Sequence, residues 1–420
     1  MNMEIIARIT EQFINYSYYY PLFMAYIWMI GAVHYYFHWE KGANPDNPPK
    51  LKEYPLVSVL VPCYNEEKHI GETVKYLLET NYPNFEIITI NDGSSDNTLE
   101  ILKELQKKDD RIRIINFQKN QGKAIGLNTA AMISKGEYLV CIDGDSILDP
   151  NAITWMMYHF LTGPRVGAVT GNPRIRNRST LLGKIQIGEF SAIVGMIKRS
   201  QRIYGRVFTV SGVIAAFRKS AIHKIGYWSR DMVTDDIDIS WRLELNHWNI
   251  RYEPNALCWM LVPETLKGLW KQRLRWAQGG AEVLKKYFSK IFDYKSRRMW
   301  GIYTEYFLSL IWAYSAILTL ILWVAGHFVQ LPERMQVPTL IPSVYGTFLG
   351  VTFLLQFGVS LFIDSKYEKG IGRYYYWIIW YPFAFWIINV FTTSVGFVKA
   401  VFEKKGKRAV WESPDRGIGD

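Results

Sequence analysis

Four stretches of this 420-residue chain contain no Asp, Glu, Lys or Arg, and they limit the fold more than any other feature. They run over residues 12–39, 306–332, 335–363 and 374–398. Each is long enough to cross hydrocarbon as a helix of about 20 residues. Tyr18, Tyr19, Tyr20, Tyr35, Tyr36 and Trp39 punctuate the first stretch, and such rings sit well at headgroup depth. Arg8 is the only basic residue ahead of it and no small-x-small site follows, so residues 1–40 read as a retained transmembrane anchor, not a signal peptide.

The basic residues assign sides. Lys41, Lys50 and Lys52 put the middle of the chain in the cytoplasm and the N-terminus outside, with the Glu333/Arg334 connection external. Lys366, Lys369 and Arg373 read as internal, and so do Lys404, Lys405, Lys407 and Arg408, although one charge-free stretch separates the two groups. Two readings stand: a re-entrant hairpin broken near Pro382, or a plain span that runs against the charge bias. The formal net charge of +11 comes without zinc-finger spacing or an RNA-binding signature, which argues against nucleic acid as a partner and suits membrane lipid. Cys63, Cys141 and Cys258 lack paired spacing, so the middle domain is expected in a reducing compartment without disulfides.

After a proline-bearing linker over residues 41–55, short apolar runs alternate with helical ones. Strands are expected at 57–61, 86–90, 112–116 and 137–142, with helices at 66–79, 96–107 and 122–134. Such alternation predicts an α/β, Rossmann-like domain over 56–262 with a mostly parallel sheet, whose ligands collect at the carboxyl ends of the strands. Amphipathic interfacial helices are expected over 263–300, a helical transmembrane domain over 301–402 and a basic tail over 403–420.

Polar clusters fall at the strand ends. Tyr64 and Glu66 follow the first strand and Asp92 ends the second, all three candidates for substrate binding. Asp143 and Asp145 flank Gly144 after a β-rich run, and such hard oxygen ligands suit Mg2+ or Mn2+ bridging phosphates. Asp145 is the expected metal ligand. Lys123, at a helix start, either meets a nucleotide or its phosphates or is a solvated lysine. Asp235 and Asp236 follow Thr234, and inversion at an anomeric carbon needs one base. Asp236 is assigned that role, with Asp231, Asp235 and Asp238 close by in sequence. In an amphipathic helix over 264–287, Gln272, Arg275 and Trp276 share one face. Arg275 can reach a diphosphate and Trp276 can stack on a sugar. Ser211 and Gly212 form a further loop able to approach an acceptor closely.

Asp92, Asp143-x-Asp145, Thr234-Asp235-Asp236 and Gln272-x-x-Arg275-Trp276, followed by apolar spans, resemble the processive family 2 glycosyltransferases. A closer similarity, carried by residues 141–145, 170–176, 208–217, 264–276 and 411–417, is to the bacterial poly-β-1,6-N-acetyl-D-glucosamine synthases of biofilm formation. The resemblance implies a GT-A fold, a divalent metal and a transmembrane tunnel for the growing poly-N-acetylglucosamine chain. It also implies UDP-N-acetylglucosamine as donor, a bacterial plasma-membrane location and a small membrane accessory subunit. The chain departs from the family where Thr-Glu-Asp is common, leaving the middle residue's role open, and it lacks the second N-terminal span of some relatives. Rival readings are a chitin- or hyaluronan-type synthase, a non-processive transferase to a lipid carrier, and a transporter or structural membrane protein. No Gly-x4-Gly-Lys-Ser/Thr loop supports an ATP-driven pump.

Overall fold

The computed structural model describes residues 3–340, 343–379 and 381–403. The expected basic tail, with the 411–417 segment and a gating role for it over the nucleotide site, lies outside the described residues, Glu403 excepted.

One sheet of eight strands forms the middle domain: β1 (Val57–Cys63), β2 (Phe85–Asp92), β3 (Ile112–Phe117), β4 (Tyr138–Ile142), β5 (Ile147–Leu148), β6 (Val166–Ile175), β7 (Ile214–Arg218) and β8 (Asn249–Met260). Their order is β3-β2-β1-β4-β7-β6-β8-β5. β3, β2, β1 and β4 are parallel neighbours, as the alternating pattern requires. Beyond β4 the sheet is mixed: β7 runs antiparallel to both β4 and β6, while β6 and β8 are parallel. Strands buried along their whole length, such as β1 and β2, are covered on both faces.

The helices follow in chain order. α1 (Met3–Tyr35) precedes the sheet, and α2 (Ile70–Leu78), α3 (Thr98–Lys108), α4 (Lys123–Ile133), α5 (Ala152–Thr162), α6 (Leu181–Glu189), α7 (Met196–Tyr204), α8 (Lys219–Ile225) and α9 (Asp235–Leu245) lie between its strands. α10 (Leu266–Tyr287), α11 (Trp300–Ala325), α12 (Ser343–Asp364), α13 (Tyr375–Ile378) and α14 (Tyr381–Phe402) come after it. α2 begins later than the expected helix at 66–79. Asn65 has a positive φ, and the Glu66 N–H donates to Thr98 Oγ1 at 2.8 Å, so residues 66–69 turn against α3 before the helix starts. Cys63, Cys141 and Cys258 are all buried, and no disulfide joins them.

Among the described residues, three helices are long and apolar enough to cross a membrane: Tyr294–Ala325, Val344–Asp364 and Ala384–Phe402. Tyrosine-rich α1 is not one of them, yet it packs as a member of the same bundle. Tyr16 Oη donates to the Leu308 carbonyl at 3.0 Å, and Trp312 Nε1 to the Ser17 carbonyl at 3.1 Å.

The last charge-free stretch takes a returning course. Tyr374 lies beside Arg178 of the sheet domain, Trp386 packs on Trp312 and Phe353 inside the bundle, and Lys285 of α10 donates to the Ala400 and Val401 carbonyls. Both ends of the stretch therefore lie against the sheet domain and α10.

A buried ionic joint fastens the bundle to the sheet. Arg199 of α7 pairs with Glu40 at 2.7 Å and with Asp364 at the end of α12 at 3.0 Å, and Arg174 of β6 holds the other Asp364 oxygen at 2.6 Å.

Candidate active site

The carboxyl ends of β1 and β4 open into a cavity of about 1630 Å³. Glu66, Gln121, Lys123, Asp143 and Asp145 line it on the sheet side, Asp235 and Asp236 at the start of α9, and Gln272, Arg275 and Trp276 along α10. The cavity then continues past Glu305, Trp312, Phe353, Gln356, Trp386 and Asn389 into the helical bundle. Three motifs far apart in sequence, Asp143-x-Asp145, Thr234-Asp235-Asp236 and Gln272-x-x-Arg275-Trp276, are thus brought to one space.

Backbone geometry explains how each group is held. Asp92 is 1% exposed and is not among the lining residues. Its carboxylate accepts from the N–H groups of Gln121 at 2.6 Å and Gly122 at 2.8 Å, so it shapes the turn that opens α4. Tyr64 is likewise outside the lining, half-buried on the loop after β1. Lys123 at the head of α4 donates to Asp143 Oδ1 at 2.6 Å. Burial disfavours its ammonium, but Asp143, Asp235 and Asp236 together hold its pKa above the ordinary value. The Gly144 carbonyl accepts from Thr73 Oγ1 at 2.9 Å, which pins the acidic loop.

The four aspartates near α9 separate by environment. Asp238 is fully buried and bound to Ser229, Arg242, Lys286 and Tyr287, facing away from the cavity. Asp231 also lines the cavity, exposed and 3.5 Å from Lys286. Asp235 and Asp236 face the cavity from the first turn of α9. Burial, then the neighbouring Asp235 charge, pushes the Asp236 carboxyl up to about 6, against the pull of Lys123 and Arg275. Its pKa therefore lies near that of a working general base. Gly212 lies directly against this carboxylate: a β-carbon built there would be 3.4 Å from Asp236 Oδ2.

α10 presents its motif by two devices. Arg273, unassigned from the sequence, points inward, pairing with Glu189 of α6 at 2.8 Å and lying 4.1 Å over the Trp276 ring. It also donates to Gln272 Oε1 at 2.9 Å. Phe190 meets Trp276 edge-on at 6.3 Å between centroids. Trp276 is thereby fixed, while Arg275 stays exposed within the cavity. Gly279 lets the helix close on the α9 motif, since a β-carbon there would fall 2.0 Å from Thr234 Oγ1.

Sequence reasoning missed Glu189, Lys198, Gly279 and Glu305. None belongs to a spaced motif, and each matters only through what the fold sets opposite it. Among the described residues, no three His, Cys, Asp or Glu side chains converge on one point. Asp143 and Asp145 are the carboxylates of the β4 loop that face the cavity, and hard oxygen donors of this kind suit Mg2+ or Mn2+.

Residues 55–279 match the family model described as glycosyltransferase like family 2. A poly-beta-1,6-N-acetyl-D-glucosamine synthase of Staphylococcus epidermidis is 42% identical over 411 residues, 96% of this chain and 98% of that one. The corresponding synthase of Staphylococcus aureus (strain COL) is 43% identical over 408 residues, 97% of this chain and 99% of that one. Among solved structures, a mannosyltransferase from Pyrobaculum calidifontis in complex with GDP-Man and Mn2+ superposes with a TM-score of 0.57 at 17% identity, covering 94% of this chain and 100% of that one. The last similarity bears on the fold alone, and it agrees with the GT-A expectation.

Proposed function

The chain belongs to glycosyltransferase family 2, and from that membership we propose that it polymerises N-acetylglucosamine from UDP-N-acetylglucosamine into a β-1,6-linked chain and passes the product across a membrane. The observation that carries this reading is the continuous cavity from the Asp143/Asp145 loop, past Asp236 and Trp276, into the bundle of α1, α11, α12 and α14. The choice of donor and linkage rests on the staphylococcal synthases, matched nearly end to end. Biofilm exopolysaccharide is the corresponding product.

In this reading the Gln121–Gly122 turn, Lys123 and Asp143 seat the nucleotide, with Asp92 holding the turn in shape. Asp145 would hold Mg2+ or Mn2+, an ion that supplies positive charge beside a departing diphosphate. Arg275 steadies the same diphosphate. Asp236 takes the proton of the acceptor 6-hydroxyl while the oxygen of that hydroxyl bonds to the donor anomeric carbon, and the bond from that carbon to UDP breaks on the opposite face. Trp276 supports the acceptor ring. Because the cavity runs on into the bundle, the lengthened chain can stay bound and advance by one sugar, whereas transfer to a lipid carrier needs no such path. A bacterial plasma-membrane location, a cytoplasmic sheet domain and a small membrane accessory subunit belong to the same reading.

The test is UDP release from membranes containing the protein, supplied with Mg2+ and either UDP-N-acetylglucosamine, UDP-glucose or UDP-glucuronate. Release with the first donor alone, giving a polymer degraded by a β-1,6-specific hexosaminidase, is expected. A polymer resistant to that enzyme would move the assignment to a chitin-type synthase. Absence of release with every donor, with candidate small membrane proteins co-expressed, would overturn it.

A further inference from the structure

Lys198 of α7 is 5% exposed and lines the cavity, yet no role in sugar transfer has been given to it. Its Nζ donates to Ser211 Oγ at 2.5 Å and to Thr170 Oγ1 at 3.2 Å, and the Ser211 N–H donates to the same Thr170 oxygen at 2.8 Å. An ammonium carries three N–H donors. Two are spent on neutral hydroxyls, and among the described residues the third has no protein partner.

The surrounding charges are otherwise engaged. Glu189 of α6 pairs with Arg273, and Glu305 of α11 accepts from Trp28 and from Gln201, one turn along α7 from Lys198. Arg199, next in sequence, turns away to Glu40 and Asp364. Asp236 of α9 is the charge that Lys198 feels, and it lies against Gly212, the residue after the Ser211 that Lys198 holds. Burying a cation with two hydroxyls for company is costly. Burial lowers its pKa to about 7, with Asp236 opposing the fall. A methionine would fill the same space at less cost, so the cation's worth must come from something that enters the cavity.

We propose that Lys198 is an acceptor-binding residue, which donates its third N–H to an oxygen of the terminal acceptor sugar beside the hydroxyl that Asp236 deprotonates. The inference rests on the synthase reading. Its proton stays on nitrogen throughout; the proton transferred is the acceptor's, to Asp236, and the leaving group is UDP. The positive charge stands beside the acceptor oxygen that becomes negative, and only the protonated amine can supply it. Activity then needs Asp236 ionised and Lys198 charged, which gives a narrow pH profile: rising through about 6 and falling above about 7.

The experiment compares wild type, K198M, K198R and S211A in membranes, measuring UDP release against pH at varied concentrations of an N-acetylglucosamine oligomer. Donor binding is followed by photolabelling with a UDP-N-acetylglucosamine analogue. K198M should lose on the order of 10²-fold in kcat/KM for the acceptor, the scale of removing one charge-stabilising donor. It should keep donor labelling and lose the alkaline limb. K198R should recover part of the rate and move that limb to higher pH. S211A, which disturbs the loop without removing the cation, should keep the limb in place. A K198M enzyme that retains the alkaline limb, or whose loss lies in donor labelling, would overturn the proposal and leave the synthase reading standing. No UDP release by wild type would instead strike the synthase reading itself.

Discussion

At the scale of single residues, the site is an exercise in keeping like charges apart by giving each a different partner. Asp92 is spent on two backbone N–H groups, Asp143 on Lys123 and Asp238 on a network behind α9. Asp236 is left with a backbone N–H, a neighbouring aspartate and burial, which together leave it able to accept a proton near pH 6. Replacing it by Asn keeps the shape and removes the base. UDP release should fall by about 10²- to 10⁴-fold, with UDP-N-acetylglucosamine still protecting the protein from proteolysis; turnover close to wild type would refute the assignment. The raised carboxyl pKa carries its own sign. The base works only when ionised, so wild-type activity should drop as pH falls through about 6, and a pH–rate curve flat down to pH 5 would contradict it. Spacing in the sequence pointed to Asp236 and left Asp231, Asp235 and Asp238 beside it as candidates for the base, and burial and partnership take Asp238 out of the cavity. Neither is written in spacing, because Arg242, Lys286 and Tyr287 reach Asp238 from elements folded over it.

At the scale of elements, the positions of α9 and α10 decide whether those residues meet. Gly279 is the contact point, with no room for a side chain against Thr234, the residue just before Asp235 and Asp236. G279A forces the helix or the α9 start to shift. Overpacking of this kind costs about 1–3 kcal/mol, so a thermal midpoint lowered by several degrees in detergent is expected, with UDP release reduced at least tenfold. Unchanged values for both would show that the two elements are not in register. The ionic joint predicts a second, contrasting effect. R199M leaves Glu40 and Asp364 buried with one partner fewer, a loss of about 3–5 kcal/mol. R8M, at an exposed pair with Glu4, should change stability by no more than about 1 kcal/mol; comparable midpoints for the two variants would contradict the joint. Periodicity alone indicated β1 to β4 and the helices between them, since parallel βα units repeat one local pattern. It did not indicate that β7 inserts between β4 and β6, because that pairing joins strands distant in sequence. Residues 181–204 showed no motif either. Their polar groups, Glu189 and Lys198 among them, face partners that folding brings from α10, β6 and the Ser211 loop.

For the whole molecule, the question is why an apolar bundle should carry polar groups inside it. Glu305, Gln356, Asn389 and Thr393 all line the cavity where it enters the helices, interleaved with Trp28, Trp312, Phe353 and Trp386. Polar side chains among lipid-crossing helices are costly unless they face water or a polar ligand. Aromatic faces beside them suit the apolar faces of sugar rings, so the mixture fits a polysaccharide better than an ion or an apolar solute. The placement of α14 supports this, since it brings Asn389 and Thr393 to the cavity while its end is fastened to α10. If the product leaves by this route, blocking it should separate transfer from elongation. N389W places a bulky ring in the path without touching Asp236, Arg275 or the Asp143/Asp145 loop. Transfer of the first few sugars to a short oligomer should then proceed at a near-normal rate, while mass spectrometry of the products should show chains truncated at a few units. Long polymer made by N389W at the wild-type rate would mean that the product leaves elsewhere, and the lining of Trp312, Phe353 and Trp386 would then serve packing alone.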